Sequence, residues 1–244
     1  MVVVAVVVAM LFPPFPQPLG YHNFADTREI FGIPNFWDFA SNLPFLVIGI
    51  FGVGLVSVGH LPGGLAELRM AYFIFFIGTA LVGIGSGYYH LHPSNETLVW
   101  DRLPMTLAFA AFFCIVVGEY ISTSLSSQLL WPLLLIGACS VAYWSYTERL
   151  GQGDLRPYAL VQFLPIVLTL LILLMYRSPF GNSRYLWAIV GTYGVAKIAE
   201  VLDEQLFQML AGLSGHSLKH LIASAGGGLL MLALIKRKPV DSSA

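Results

Sequence analysis

The stretch MAYFIFFIGTALVGIGSGYY, Met70–Tyr89, decides the fold. It carries no charged side chain. At about 1.5 Å of rise per residue it is long enough, as a helix, to cross the ~30 Å hydrocarbon core of a bilayer. Arg69 precedes it and His90 follows it, so a polar group marks each end. Six further stretches have the same character: Phe39–Gly59, Leu103–Thr123, Leu129–Thr147, Tyr158–Tyr176, Tyr185–Leu202 and His216–Ile235. The connections are short and polar, as in His92-Pro93-Ser94-Asn95-Glu96 and Gly151-Gln152-Gly153-Asp154. The predicted fold class is all-α, an integral, multi-pass bundle of seven membrane helices. One domain is expected over residues 1–244, with residues 1–38 as an apolar and then polar segment before the first span; no internal repeat is visible.

Composition agrees. Lys and Arg total 12 and Asp and Glu 13 among 244 residues, so charged residues make up 10% of the chain, against about 25% in a soluble domain. Hydrophobic residues reach 57% and mean hydropathy is +0.77. These values exclude a disordered chain, a disulfide scaffold and an ordinary soluble enzyme. The net charge of −1 offers no basic face for nucleic acid. Cys114 and Cys139 lie in apolar runs and read as packing residues. Met1–Phe12 is apolar but short, lacks a basic start, and is followed by Pro13, Pro14, Pro16 and Pro18, so it reads as a peripheral or partial element.

With seven crossings, one side holds Arg69, Arg177, Arg184, Lys236, Arg237 and Lys238, and the other Arg28, Arg102, Arg149, Arg156 and Lys219. The terminal Lys236-Arg237-Lys238 cluster tips this near-balance toward a cytoplasmic C-terminus. Asn95-Glu96-Thr97 is a glycosylation sequon on the opposite side.

Ionisable groups inside a membrane are expensive and mark functional candidates. His216 and His220 are spaced i, i+4 and share a helix face, as do Ser86 and His90. His90 ends the second span and His216 starts the seventh. Four crossings separate them, so both face one side, together with Asp101 and the polar segment Tyr21–Asp38. Nine of the 13 acids fall on that side. Three histidines meeting there suit a catalytic zinc, which leaves one position for water and brings that water's pKa to about 7. Asp101 would be general base and Ser86 a donor to the developing oxyanion. Lys197 and Glu200 are spaced i, i+3, with Asp203 three residues on. They read either as an internal ion pair that fixes helix packing or as a second layer around the zinc histidines or the lipid head group. Glu148, Arg149, Asp154 and Arg156 read as a surface loop, Trp37, Trp100 and Trp144 as interfacial anchors, and His22, His60 and His92 as loop residues without a metal role.

Gly85-Ser86-Gly87-Tyr88-Tyr89-His90, Trp100-Asp101-Arg102-Leu103-Pro104-Met105 and Gly215-His216-Ser217-Leu218-Lys219-His220 resemble the alkaline ceramidase family, part of a seven-helix hydrolase superfamily that includes the adiponectin and progestin receptors. Phe36-Trp37-Asp38 with Ser41-Asn42-Leu43-Pro44 is similar to that family's N-terminal signature. The resemblance implies zinc on His90, His216 and His220, Ser86 beside the metal and Asp101 activating water. It implies hydrolysis of the N-acyl bond of a ceramide-like membrane lipid to a fatty acid and a sphingoid base, with substrate entering sideways from the bilayer. It also raises a calcium site before the first span. The family's acidic cluster is not reproduced there: Asp26, Glu29 and Asp38 are candidate ligands, or a solvated face with Arg28.

Three other readings compete. A receptor or sensor of the same superfamily is the main alternative, although only about 38 residues precede the first span. A rhomboid-type serine protease needs glycine where Ile84 stands and leaves two histidines unexplained. A bis-histidine haem protein would show a Soret band. No protein partner is inferred.

Overall fold

The structure, a computed structural model, describes residues 2–59, 61–181 and 183–239, with side chains from Val6 onward. His60 lies outside the described residues. The chain folds into α1 (Val2–Leu11), α2 (Phe36–Ala40), α3 (Leu43–Val58), α4 (Arg69–Leu91), α5 (Asn95–Tyr120), α6 (Thr123–Arg149), α7 (Arg156–Met175), α8 (Arg184–Val201), α9 (Asp203–Met209) and α10 (Gly215–Lys236). Six helical stretches are long and apolar enough to cross a membrane, and α8 with α9, bent by 82° at Leu202, makes a seventh if counted as one broken span. This is an all-α membrane bundle, and each expected span corresponds to a helix. α1, at ten residues, rises about 15 Å, half a bilayer, and packs on α7.

The largest boundary difference falls on the third span. Its helix begins at Asn95, two turns before Leu103, because Ser94 and Thr97 form a capping box: the Ser94 hydroxyl accepts from Thr97 N at 3.2 Å and the Thr97 hydroxyl accepts from Ser94 N at 3.1 Å. An apolar window misses this start because Glu96, Asp101 and Arg102 sit in those two turns. Asp101 therefore lies inside the helix, in its second turn.

α5 is the central helix and packs against α4, α6 and α7, while α10 packs against α8 and α3, and α3 against α4. The helices α3, α4, α5, α7, α8 and α10 form a ring with α6 outside it. α7 and α8 touch least of these neighbours. The main core lies between α4 and α5, around Tyr72, Phe76, Cys114, Ile115 and Val116. The outer surface is apolar: Phe51, Trp131, Leu135 and Leu174 are each more than 60% exposed. Such a belt would be a large sticky patch in water and is satisfied by lipid tails. Cys139 lies on this exposed surface, unlike the buried Cys114.

At the end where α10 finishes, Arg237 and Glu119 form a fully buried, bidentate ion pair (Nη2–Oε1 2.6 Å, Nη1–Oε2 2.9 Å), with Arg237 Nη2 also donating to the Gly63 carbonyl at 2.8 Å. One of the three terminal cations thus fastens α10 to α5.

Candidate metal centre and active site

The opposite end holds the histidines. His90 closes α4, and His216 and His220 occupy the first two turns of α10. All three are at least 96% buried. Their ring centroids stand 4.8 Å (90–216), 5.0 Å (90–220) and 4.9 Å (216–220) apart. One nitrogen from each lies within 4.8 Å of the others, which makes this, among the described residues, the one group of three ligating side chains that could hold a metal ion.

The donors fit a metal on a second ground. Both ring nitrogens of His90 are buried and without a hydrogen-bond partner among the described residues. Leaving an imidazole so is costly unless something else uses a lone pair. His220 is oriented through Ser41. The Ser41 hydroxyl donates to the Asp38 carbonyl at 3.0 Å, so its oxygen accepts from His220 Nδ1–H at 2.8 Å. That tautomer leaves the lone pair on Nε2, the usual arrangement for a metal-binding imidazole. His216 Nε2 accepts from Lys219 Nζ at 2.8 Å, and Lys219 also lies 3.3 Å from Glu200 Oε1, so it can release His216 and stay paired. Phe24 covers the cluster, its ring centroid 4.7 Å from both His90 and His216.

Two glycines let the elements meet closely enough to build the site. Pro104 has no N–H to offer the Trp100 carbonyl, and that oxygen turns onto Gly85 of α4. A Cβ at residue 85 would stand 1.9 Å from it. This contact sets Ser86 of α4 beside Asp101 of α5, and both side chains line the same cavity. Gly215 likewise admits the Ala199 carbonyl at the end of α8, where a Cβ would come within 2.2 Å. Asp203 then accepts from His216 N at 2.7 Å and from Ala25 N at 3.0 Å. It fixes the start of α10 and the N-terminal segment through their backbones.

Ser86, Asp101 and His220 face a cavity of about 240 Å³ inside the helix ring. Its other polar lining residues at this end include Tyr21, Arg102, Tyr158, Lys197, Glu200 and Lys219, and its remote walls include Phe75, Phe112, Ile166 and Ile189. The expected Lys197–Glu200 ion pair is present, and Glu200 serves Lys219 as well. The packing and second-layer readings therefore merge into one chain of contacts, Lys197–Glu200–Lys219–His216.

The three calcium candidates are not brought together. Asp26 is buried and bound by the side chain of Arg28 (Nη2–Oδ2 2.6 Å, Nε–Oδ1 2.8 Å). Asp38 Oδ1 accepts from Ser217 at 2.6 Å and Ser214 at 2.9 Å, which pins α2 to the start of α10. Glu29 is exposed. The structure corrects two lesser readings. Glu148 belongs to α6 and accepts from Trp144 Nε1 at 3.0 Å and from Gln17 N at 2.5 Å, and Asp154 is 3% exposed, so the stretch docks the N-terminal segment, and of the four residues read as a surface loop Arg149 alone is exposed. Trp144 is fully buried, unlike the exposed Trp37 and Trp100. His22 bridges Tyr89 OH (2.8 Å) and Asn95 (2.9 Å), and His92 is exposed. Sequence reasoning passed over Phe24, Ser41, Arg102 and Lys219. Only Lys219 carried a signal, as a charge inside an apolar segment.

A helical membrane bundle with three buried histidines, a serine and an aspartate at one end of an internal cavity defines a class: polytopic membrane proteins with a buried metal-competent centre. The ceramidase family model matches residues 32–235, and the chain belongs to the ceramidase family, which places it among hydrolases. No curated protein matches the chain.

Proposed function

We propose that this chain is a zinc-dependent intramembrane amide hydrolase that cleaves the N-acyl bond of ceramide-like lipids, releasing a fatty acid and a sphingoid-type amine. The observation that carries this reading is the unsatisfied His90 imidazole between His216 and His220, beside Ser86 and Asp101 at the polar end of a cavity with apolar walls. His90, His216 and His220 would hold zinc, which supplies a Lewis acid there and lets water ionise near neutral pH.

The remaining chemistry belongs to the chain. Asp101 takes the proton from water as the oxygen attacks the amide carbonyl carbon. Ser86 donates its single hydroxyl proton to the carbonyl oxygen as charge builds there. Asp101 then passes its proton to the departing nitrogen, and the C–N bond breaks to give acid and amine. Asp203, Ser41 and Lys219 hold the histidines in place, and the N-terminal segment with Phe24 closes the centre from water. The loose α7–α8 seam, next to cavity residues on both helices, suits a lipid that arrives sideways. The residual charge bias favours a histidine end on the non-cytoplasmic side and a C-terminus in the cytoplasm. A single catalytic membrane domain is proposed, with the segment before α2 packed onto it.

The test is elemental analysis of the purified protein coupled to hydrolysis of a panel of N-acyl lipids. Near-stoichiometric zinc that is lost in His90→Ala and His216→Ala, together with fatty-acid release by wild type, is expected. Wild type without zinc refutes the metal centre; zinc-loaded protein inert on the whole panel refutes the hydrolase and favours a receptor.

A further inference from the structure

Arg102 stands in an unusual electrostatic position. It is 6% exposed and lines the cavity beside Asp101. Its Nη2 donates to Gln17 Oε1 at 2.5 Å, but Nη1 has no hydrogen-bond partner among the described residues. Every other buried or half-buried cation of this end has an acid: Lys197 and Lys219 have Glu200, and Arg156 has Asp154. Arg102 forms no salt bridge among the described residues. Three aromatic rings hold it instead, Trp144 at 4.2 Å, Tyr158 at 4.6 Å and Tyr21 at 5.8 Å. Stacking fixes the plane of the guanidinium and offsets part of its desolvation, yet it leaves the Nη1 N–H groups unanswered, and a buried cation without a counter-charge is expensive. The polar end of the cavity as a whole has three cations, Arg102, Lys197 and Lys219, against two acids, Asp101 and Glu200. A metal on the histidines would add to that excess.

We propose that Arg102 is the anchor for an acidic group on the amine half of the substrate, so that the preferred lipids are anionic N-acyl amides bearing a carboxylate or a phosphate. This rests on the hydrolase reading and specifies its amine half, a phosphorylated sphingoid base or another acidic amine in place of a neutral one. The fork of a guanidinium matches both oxyanions in a way that a neutral hydroxyl headgroup does not. Placement assigns the group to the amine half. The scissile amide belongs beside Ser86 and Asp101, and the acyl chain takes the apolar walls at Phe75, Phe112, Ile166 and Ile189. The amine half is left at the polar end, where Arg102 follows the general base in sequence and faces the same cavity. Gln17 contributes by fixing the other guanidinium nitrogen from the N-terminal segment.

The experiment compares matched lipids on the purified, full-length protein in detergent: N-oleoylglycine against N-oleoylethanolamine for the carboxylate, and ceramide 1-phosphate against ceramide for the phosphate. Wild type is expected to favour the acidic member of at least one pair by tenfold or more in kcat/KM, and the favoured pair tells carboxylate from phosphate. Arg102→Gln should bring the ratio to within about twofold, chiefly through the KM of the acidic lipid, and Arg102→Lys should restore part of it. Equal or neutral-favouring turnover in both pairs overturns the proposal. So does an Arg102→Gln variant that slows both members alike, which would make Arg102 a packing residue. Quenching of tryptophan fluorescence, with Trp144 under the guanidinium, reads binding without turnover. If no lipid is hydrolysed but acidic lipids still bind tenfold tighter to wild type and not to Arg102→Gln, the anionic site stands and the hydrolase reading falls. Equal binding of acidic and neutral lipids overturns the site itself.

Discussion

Gly85→Ala tests how the site is assembled. The new methyl carbon would stand 1.9 Å from the Trp100 carbonyl oxygen and 2.8 Å from its carbon, whereas real Cβ contacts keep to 3.0 Å or more. The obstacle is backbone, so no side-chain rotation relieves it. α4 and α5 must separate by about 1 Å at the level of Ser86 and Asp101. Overpacking of this kind costs about 1–3 kcal/mol, and at about 2–4 °C per kcal/mol for a chain of this size it lowers the melting temperature by several degrees. A displacement of about 1 Å between reacting groups costs about 100-fold in rate. The assay pairs thermal melting in detergent with fatty-acid release from the best N-acyl lipid. Gly194→Ala in α8 is the control, since a Cβ there meets nothing within 4 Å. Wild-type melting and wild-type turnover in Gly85→Ala would refute the close α4–α5 contact and, with it, the account of how Ser86 reaches Asp101.

Asp101→Ala should lower lipid amide hydrolysis by about 10²–10⁴-fold, the usual worth of a general base, while metal analysis shows zinc retained; loss of zinc would make Asp101 a structural support of the histidines. Glu119→Gln leaves the Arg237 guanidinium buried without its counter-charge, a loss of about 3–5 kcal/mol. The double change Glu119→Met with Arg237→Met should recover most of the lost melting temperature, and a double variant no better than the single one would contradict the pairing. Asp154 accepts from Arg156 Nε and Nη2, both at 2.8 Å, and these bonds hold its carboxyl below the usual carboxylate range. Folding therefore favours the ionised form. The stabilisation is complete above the unfolded value of about 4 and is lost as pH falls through the lowered folded value. Asp154→Asn should melt below wild type at pH 7, with the gap closing in acid below about pH 4; a gap indifferent to acid would show that the charge is not what counts.

The sequence by itself determined the class of fold and the end of the bundle where chemistry is placed. Apolar run length reports the bilayer directly, because an unsatisfied backbone in lipid permits only helices or closed barrels. Helix parity then places His90, Asp101, His216 and His220 on one side whatever the packing. Boundaries were less legible where charge enters a helix, as at Asn95–Arg102, since hydropathy does not see a capping box. Tertiary structure alone decided which polar groups meet. Ser41 orients His220 from 179 positions away, Asp38 is taken up by two serines of α10, and Gly85 matters because Pro104 frees a carbonyl on a different helix. Arg102 looked like one more loop charge in the sequence. Only packing shows that aromatic rings bury it at the cavity wall with one nitrogen unanswered. Such contacts depend on how helices rotate and how deeply they approach, which small residues and unpaired carbonyls on separate elements set jointly, and no local pattern along the chain encodes that.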